Sequence, residues 1–172
     1  MITNEDIVTI VQNILSTTLE LEAYACERTA IANRTGHVSG CIQISGEWQG
    51  AVVIQSPESL AQTFASKFFE LDERDLTEED LRDAFAELTN MIGGNIKGQV
   101  PCPSFLSIPS VTTGQDFDFH LSSAVIVRDL DVQCEGETLR IMMFEEDRSQ
   151  PSRFVRAHAT KDRSINNFPI VP

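Results

Sequence analysis

Basic residues are scarce in this 172-residue chain: 13 Lys and Arg stand against 26 Asp and Glu, for a formal net charge of −13. A surface of that sign is repelled by nucleic-acid phosphates and by anionic lipid, so no nucleic-acid and no membrane partner is expected. It suits a partner with an exposed basic patch. Long apolar runs are missing as well. None approaches the ~20 residues that a membrane span requires, although 41% of the residues are hydrophobic and supply one domain with a sizeable core. The opening residues Met1-Ile-Thr-Asn-Glu-Asp6 lack the basic and apolar regions of a secretory leader, and a cytoplasmic setting is expected.

Metal and thiol chemistry has little to work with. Cys26, Cys41, Cys102 and Cys134 show no C-x-x-C spacing, and His37, His120 and His158 are scattered. Neither set gives a metal-ligand pattern, so no cofactor of the chain's own is expected, and the thiols read as buried or incidental. Also absent are a Gly-rich phosphate loop and a Gly-x-Ser-x-Gly elbow.

What is present is a clear order of elements. Ile7, Ile10, Val11, Ile14 and Leu15 recur at helical spacing and predict a helix from Asn4 to about Glu22, capped by Thr3 or Asn4. Val38–Ser45 and Trp48–Gln55 read as strands around the turn Ser45-Gly46-Glu47. Ser56-Pro57-Glu58 opens a second helix with Ser56 as its cap. Thr77, with Asp80 three residues on, forms a capping-box variant at the start of a third, which Gly98 and Pro101 end. β-formers then fill Phe105–Val111, Phe117–Val127, Val132–Cys134 and Thr138–Phe144, with Glu135-Gly136-Glu137 as a turn. The class is α+β: an antiparallel or mixed sheet with long helices packed on it, in the order helix–hairpin–helix–helix–β-meander. Residues 1–146 are expected to form a single domain. The tail 147–172 holds five of the thirteen basic residues against two acids, and reads as an extension that lies along the acidic body or stays mobile.

The third helix carries the chemistry. At 100° per residue, Leu81, Phe85, Leu88, Ile92 and Ile96 fall on one face, while Asp83, Glu87, Asn90, Gly94 and Lys97 fall on the other, flanked by Ala86 and Gly93. Most polar helix faces are simply solvated. A solvated face, however, favours Lys, Glu, Gln and Ala over Asn and paired Gly, and each Gly inside a helix costs roughly 1 kcal/mol relative to Ala. Local choices that oppose their own element are expected at functional sites. The reading is a rigid helix that presents Glu87 and Asn90 to a macromolecular partner, with the glycines admitting a second backbone. The segment also echoes the first helix: Asp6, Ile10 and Asn13 line up with Asp83, Glu87 and Asn90, so a first copy would lack the acid.

Asp83-x-x-x-Glu87-x-x-Asn90, followed by Met91-Ile92-Gly93-Gly94-Asn95-Ile96-Lys97, resembles the signature helix of the CheX/CheC chemotaxis phosphatases, with the single-helix CheX branch the nearer match. The resemblance implies hydrolysis of the aspartyl phosphate of a phosphorylated CheY-like response regulator, with Mg²⁺ supplied by that receiver. It implies that Asn90 holds the attacking water, that Glu87 pairs with the receiver's lysine, and that Asp83, Gly93, Gly94 and Lys97 form the partner-binding face. It also implies a homodimer. Two other readings compete: a non-catalytic module of the flagellar-switch kind that binds a response regulator, and a self-assembling scaffold. Whether Asn90 is accessible or covered by a second copy separates the last of these from the first.

Overall fold

Alternation along the strands creates one strongly apolar sheet face. Val38, Ile42 and Ile44, then Val52 and Ile54, then Leu130, Val132 and Cys134, then Leu139, Ile141 and Met143 are all buried in one cluster. A period of two puts each set on a single side. Three amphipathic helices cover that side. The structure, a computed structural model, describes residues 2–27, 37–100, 102–114, 119–121, 124–147 and 157–159.

The elements run α1 (Asn4–Leu19), β1 (Ala23–Cys26), β2 (His37–Gly46), β3 (Gly50–Pro57), α2 (Glu58–Phe69), a 3-10 turn (Glu73–Asp75), α3 (Glu78–Gly98), β4 (Ser104–Leu106), β5 (Ser110–Gly114), β6 (Phe119–Leu121), β7 (Ala124–Cys134), β8 (Glu137–Glu146) and β9 (Ala157–Ala159). The main sheet has the order β1-β7-β8-β3-β2-β4, with β5 also paired to β2, and β6 and β9 form a separate ribbon. All pairings among the described residues are antiparallel. The class is α+β, as expected. The strands after α3 are shared between the two ends of the sheet: β4 and β5 extend it beyond β2, while the β7–β8 hairpin crosses over and inserts between β1 and β3. Its two-residue turn has φ of 51° at Glu135 and 76° at Gly136, the positive pair that a type I′ hairpin needs.

Three local expectations change. Ser56 does not cap α2, because it is still a buried strand residue paired with Val38, and its hydroxyl donates to the Pro57 carbonyl at 2.9 Å; Pro57 takes the cap position without a side-chain bond. The expected strand Phe117–Val127 divides: 119–121 is β6, 124–127 opens β7, which runs on through Val132–Cys134 with a register irregularity between Ile126 and Arg128, and 117–118 and 122–123 lie outside the described residues. β1 was not foreseen; four residues, Ala-Tyr-Ala-Cys, carry little pattern, and the pairing of Ala23 with Cys134 is far away in sequence. The expected tail lies, apart from Asp147 and Ala157–Ala159, outside the described residues.

α3 is seated on β2 by two interlocking contacts. A Cβ on Gly40 would stand 2.0 Å from Thr89 Oγ1, and a Cβ on Gly93 would stand 2.5 Å from Ile42 Cγ2. Strand glycine receives helix threonine, and helix glycine receives strand isoleucine. Thr89 is fully buried, and its hydroxyl donates back to the Phe85 carbonyl at 2.7 Å, so the close approach leaves no unpaired polar atom there. Overpacking of this kind costs about 1–3 kcal/mol. Gly40→Ala is expected to destabilise by that amount in urea unfolding. Adding Thr89→Ala should recover part of the loss, since only the Thr89 Cβ, at 3.1 Å, would still face the new methyl. Purely additive losses would show that the close approach is not the constraint.

Candidate functional site

The start of α3 is fixed by its cap. The Thr77 hydroxyl and backbone N–H donate to the Asp80 carboxylate at 2.6 and 2.8 Å, and the Asp80 N–H returns a bond to the Thr77 hydroxyl at 3.1 Å. These bonds, the hydroxyl's first, hold the Asp80 carboxyl below its ordinary value of 3.8. From there the helix runs with Leu81, Phe85, Leu88, Ile92 and Ile96 buried, as their spacing predicts.

On the opposite side Asp83, Glu87 and Asn90 are exposed. Together with Ala86 they line one wall of a groove of about 370 Å³, and Ser107, Ile108 and Pro109 line the other. Ala86 leaves space between the polar side chains. The groove thus brings one carboxamide and two carboxylates together over a floor with little side-chain bulk. Its carboxylates can pair with a cation, and its amide can both donate to and accept from a water. Among the described residues no group of three His, Cys, Asp or Glu side chains converges on a metal-sized space.

The second wall comes from an irregular edge strand. β4 pairs with β2 through Ile44↔Leu106, and β5 continues along the same strand from Cys41↔Ser110. Between them Ser107, Ile108 and Pro109 stand opposite only Ile42 and Gln43, so the edge carries one extra residue. This is a β-bulge, a device that re-aims side chains beside functional sites. Ser107 secures it: its N–H donates to the Gln43 carbonyl at 3.0 Å, and its hydroxyl accepts from the Gln43 N–H at 3.0 Å. Pro109 has no N–H to leave unpaired. The outcome is an isoleucine, Ile108, that is 89% exposed.

Of the residues singled out in the sequence, Asp83, Glu87 and Asn90 share the groove. Gly94 is half-buried, and a Cβ there would meet Leu106 Cδ1 at an ordinary 3.8 Å, so the chain itself does not demand glycine at this position. Lys97 is half-buried one turn further on and lies outside the groove lining. Gly93 requires a correction. It is buried, and what its missing side chain admits is the Ile42 side chain of the chain's own β2, not a partner. The internal echo also shifts. Aligned by their matching capping boxes, Thr3 with Asp6 and Thr77 with Asp80, the buried Ile7, Val11, Ile14, Leu15 and Leu19 fall on the buried Leu81, Phe85, Leu88, Thr89 and Gly93. That register places Asn13 on Glu87, three residues away from the sequence echo, so the Asp and Asn matches do not follow the structural alignment. Sequence reasoning missed Ser107–Pro109; the available signal was a proline inside a β-rich run. As for the thiols, burial pushes Cys41 and Cys134 up to about 11, so both are neutral near pH 7.

The family model for chemotaxis phosphatase CheX matches residues 38–129. Among solved structures, the chain is similar to the chemotaxis protein CheX of Vibrio vulnificus, with 21% identity and a TM-score of 0.69, over 83% of this chain and 95% of that one. It is similar to the CheX–CheY–BeF3–Mg²⁺ complex of Borrelia burgdorferi, with 18% identity and a TM-score of 0.61, over 83% and 96%. Thermotoga maritima FliY shares 14% identity and a TM-score of 0.53, over 85% and 92%. No curated protein matches the chain.

The cap at Thr77 gives α3 an acid-sensitive start. Because the folded Asp80 pKa lies below 3.8, its contribution is complete above the unfolded value and is lost as pH falls through the folded one. Asp80→Asn should therefore weaken the protein at pH 7 and flatten the part of the acid-side stability loss that this group causes. Urea unfolding of both proteins at pH 7 and pH 3 measures this, and equal losses in the two would show that this cap does not titrate.

Proposed function

This chain belongs to the CheX family of chemotaxis phosphatases, and on that basis we propose that it hydrolyses the aspartyl phosphate of a CheY-like response regulator. The observation that carries the reading is the shared groove: Glu87 and Asn90 stand exposed, one turn apart, on a helix whose opposite face is locked to the sheet. Asn90 lies within ~20° of the centre of the exposed face by helical pitch. A side chain in that position can reach into a partner's pocket while its own backbone stays fixed.

The chemistry follows from the side-chain types. A carboxamide is no general base at neutral pH, so Asn90 acts by holding a water in line with phosphorus. The water oxygen forms the new P–O bond as the bond from phosphorus to the receiver's aspartate breaks, releasing inorganic phosphate. Glu87 pairs with the receiver's active-site lysine and sets the docking register through a charge-assisted bond. Asp83 adds negative charge one turn earlier. Mg²⁺ comes with the receiver and neutralises the phosphoryl oxygens there. An acyl phosphate is labile already, so an acceleration of about 10²-fold, or ~3 kcal/mol, suffices for a positioning mechanism. A homodimer in the cytoplasm, with residues 1–146 as the working domain and the basic tail as an extension, completes the proposal. The competing reading is a module of this fold that binds a receiver without hydrolysing its phosphate; Thermotoga maritima FliY shares the fold at 14% identity.

The test is the decay of phosphorylated CheY-like receivers from the same genome. Wild-type protein should accelerate it, and Asn90→Ala should return it nearly to the spontaneous rate with an unchanged unfolding curve. Glu87→Ala should weaken docking, catalysis or both. Wild-type decay by the Asn90→Ala protein would sink the mechanism, and capture of the beryllofluoride-activated receiver without accelerated decay would support the binding module instead. Replacing Gly94 with Leu should weaken receiver binding more than stability, and unchanged affinity would remove Gly94 from the docking face.

A further inference from the structure

We propose that the Ser107–Pro109 bulge is the second arm of the docking site, with Ile108 as an apolar anchor that seats the receiver while α3 delivers the polar pair. This rests on the function proposed above and goes beyond it by assigning a recognition residue outside the signature helix.

Ile108 is 89% exposed, the most exposed large hydrophobic side chain among the described residues, and it stands in the groove with Asp83, Glu87 and Asn90. It is not a stray surface residue. It occupies the extra position of an edge-strand bulge, and Ser107 fixes that bulge with two 3.0 Å bonds to the Gln43 backbone. Pro109 stiffens the far side by fixing its own φ. A regular strand through residues 104–114 would satisfy the sheet edge with ordinary alternation. The departure from regularity leaves Ile108 outside the core, 89% exposed. What it does is form the groove wall opposite Asp83, Glu87 and Asn90.

The occupant follows from continuity with the candidate site. Any partner that lets Asn90 into its pocket also enters this groove and lies against Ile108. The receiver brings a phosphoryl group to this face, and this chain carries a net charge of −13. Apart from the lysine pairing, charge does little to hold the two together. An apolar contact beside the polar pair supplies attraction that is insensitive to sign, and central apolar anchors commonly dominate interface energy. The receiver surface that fits is a patch of apolar side chains on a loop rimming its phosphorylated aspartate.

The experiment separates docking from chemistry. Affinity for the beryllofluoride-activated receiver, and KM and kcat for the phosphorylated one, are measured for wild type, Ile108→Asp, Ile108→Ser, Ile108→Leu and Asn90→Ala. The Asp and Ser variants should raise Kd and KM by about tenfold or more with kcat within about twofold, and the Leu variant should stay near wild type. Asn90→Ala should show the reverse split, a lost kcat with a nearly unchanged Kd. Because Ile108 is so exposed, unfolding curves should not move. Wild-type Kd and KM in Ile108→Asp would overturn this inference and leave the phosphatase reading standing, as would a loss confined to kcat. Failure of the wild-type protein to bind or act on any receiver would overturn both.

Discussion

How close α3 comes to β2 decides where everything on its outer face points. The two interlocks, Thr89 into Gly40 and Ile42 into Gly93, are four residues apart on the helix and two apart on the strand. Four helical residues rise ~6 Å and two strand residues ~6.7 Å, so the spacings mesh when the helix runs roughly along the strand. Both contacts together fix translation and rotation. With Thr89 and Gly93 turned inward, Asn90 and Glu87 have no choice but to face outward.

The other wall of the groove depends on the same stretch of β2. Ile42 holds the helix on one side, while the backbone of Gln43, its neighbour, holds Ser107. The polar pair and the bulge are therefore referenced to adjacent residues of one central element, and their separation is insensitive to motion elsewhere. That is how precision is achieved in a site that is otherwise open to solvent: side chains are exposed, but the backbone positions behind them are buried or hydrogen-bonded.

Much of this could be read along the chain. Periodicity gave three helices and the β2–β3 pair, and the apolar face of α3 was assigned residue by residue. The polar pair was visible because Asn and paired Gly contradict the helix that contains them. What failed was the meaning of small residues. Gly93 reads as an invitation to a partner until its neighbour is known, and Ile42 lies about fifty residues away in sequence. Thr89 was passed over because a hydroxyl looks polar, although its bond to Phe85 lets it sit in the core. The bulge was hidden for a similar reason: Phe105 to Val111 reads as one strand, and only pairing with β2 exposes the extra residue. Resemblance to CheX located the helix but said nothing of its opposite wall.

The parts of the groove share another property, which lies in the order of the chain. β2, β3, α2, α3 and the bulged edge follow one another without interruption between His37 and Gly114, whereas the far half of the sheet needs Ala23 to meet Cys134 and Ile54 to meet Ile141. Contacts between distant segments carry the larger loop-closure entropy and set the slow part of folding. Insertion of the β7–β8 hairpin between β1 and β3 is the step of that kind here. The topology thus gives the recognition half the shorter loops to close, none longer than that between His37 and Gly114, and leaves the longer closures to the half of the sheet that a partner does not meet.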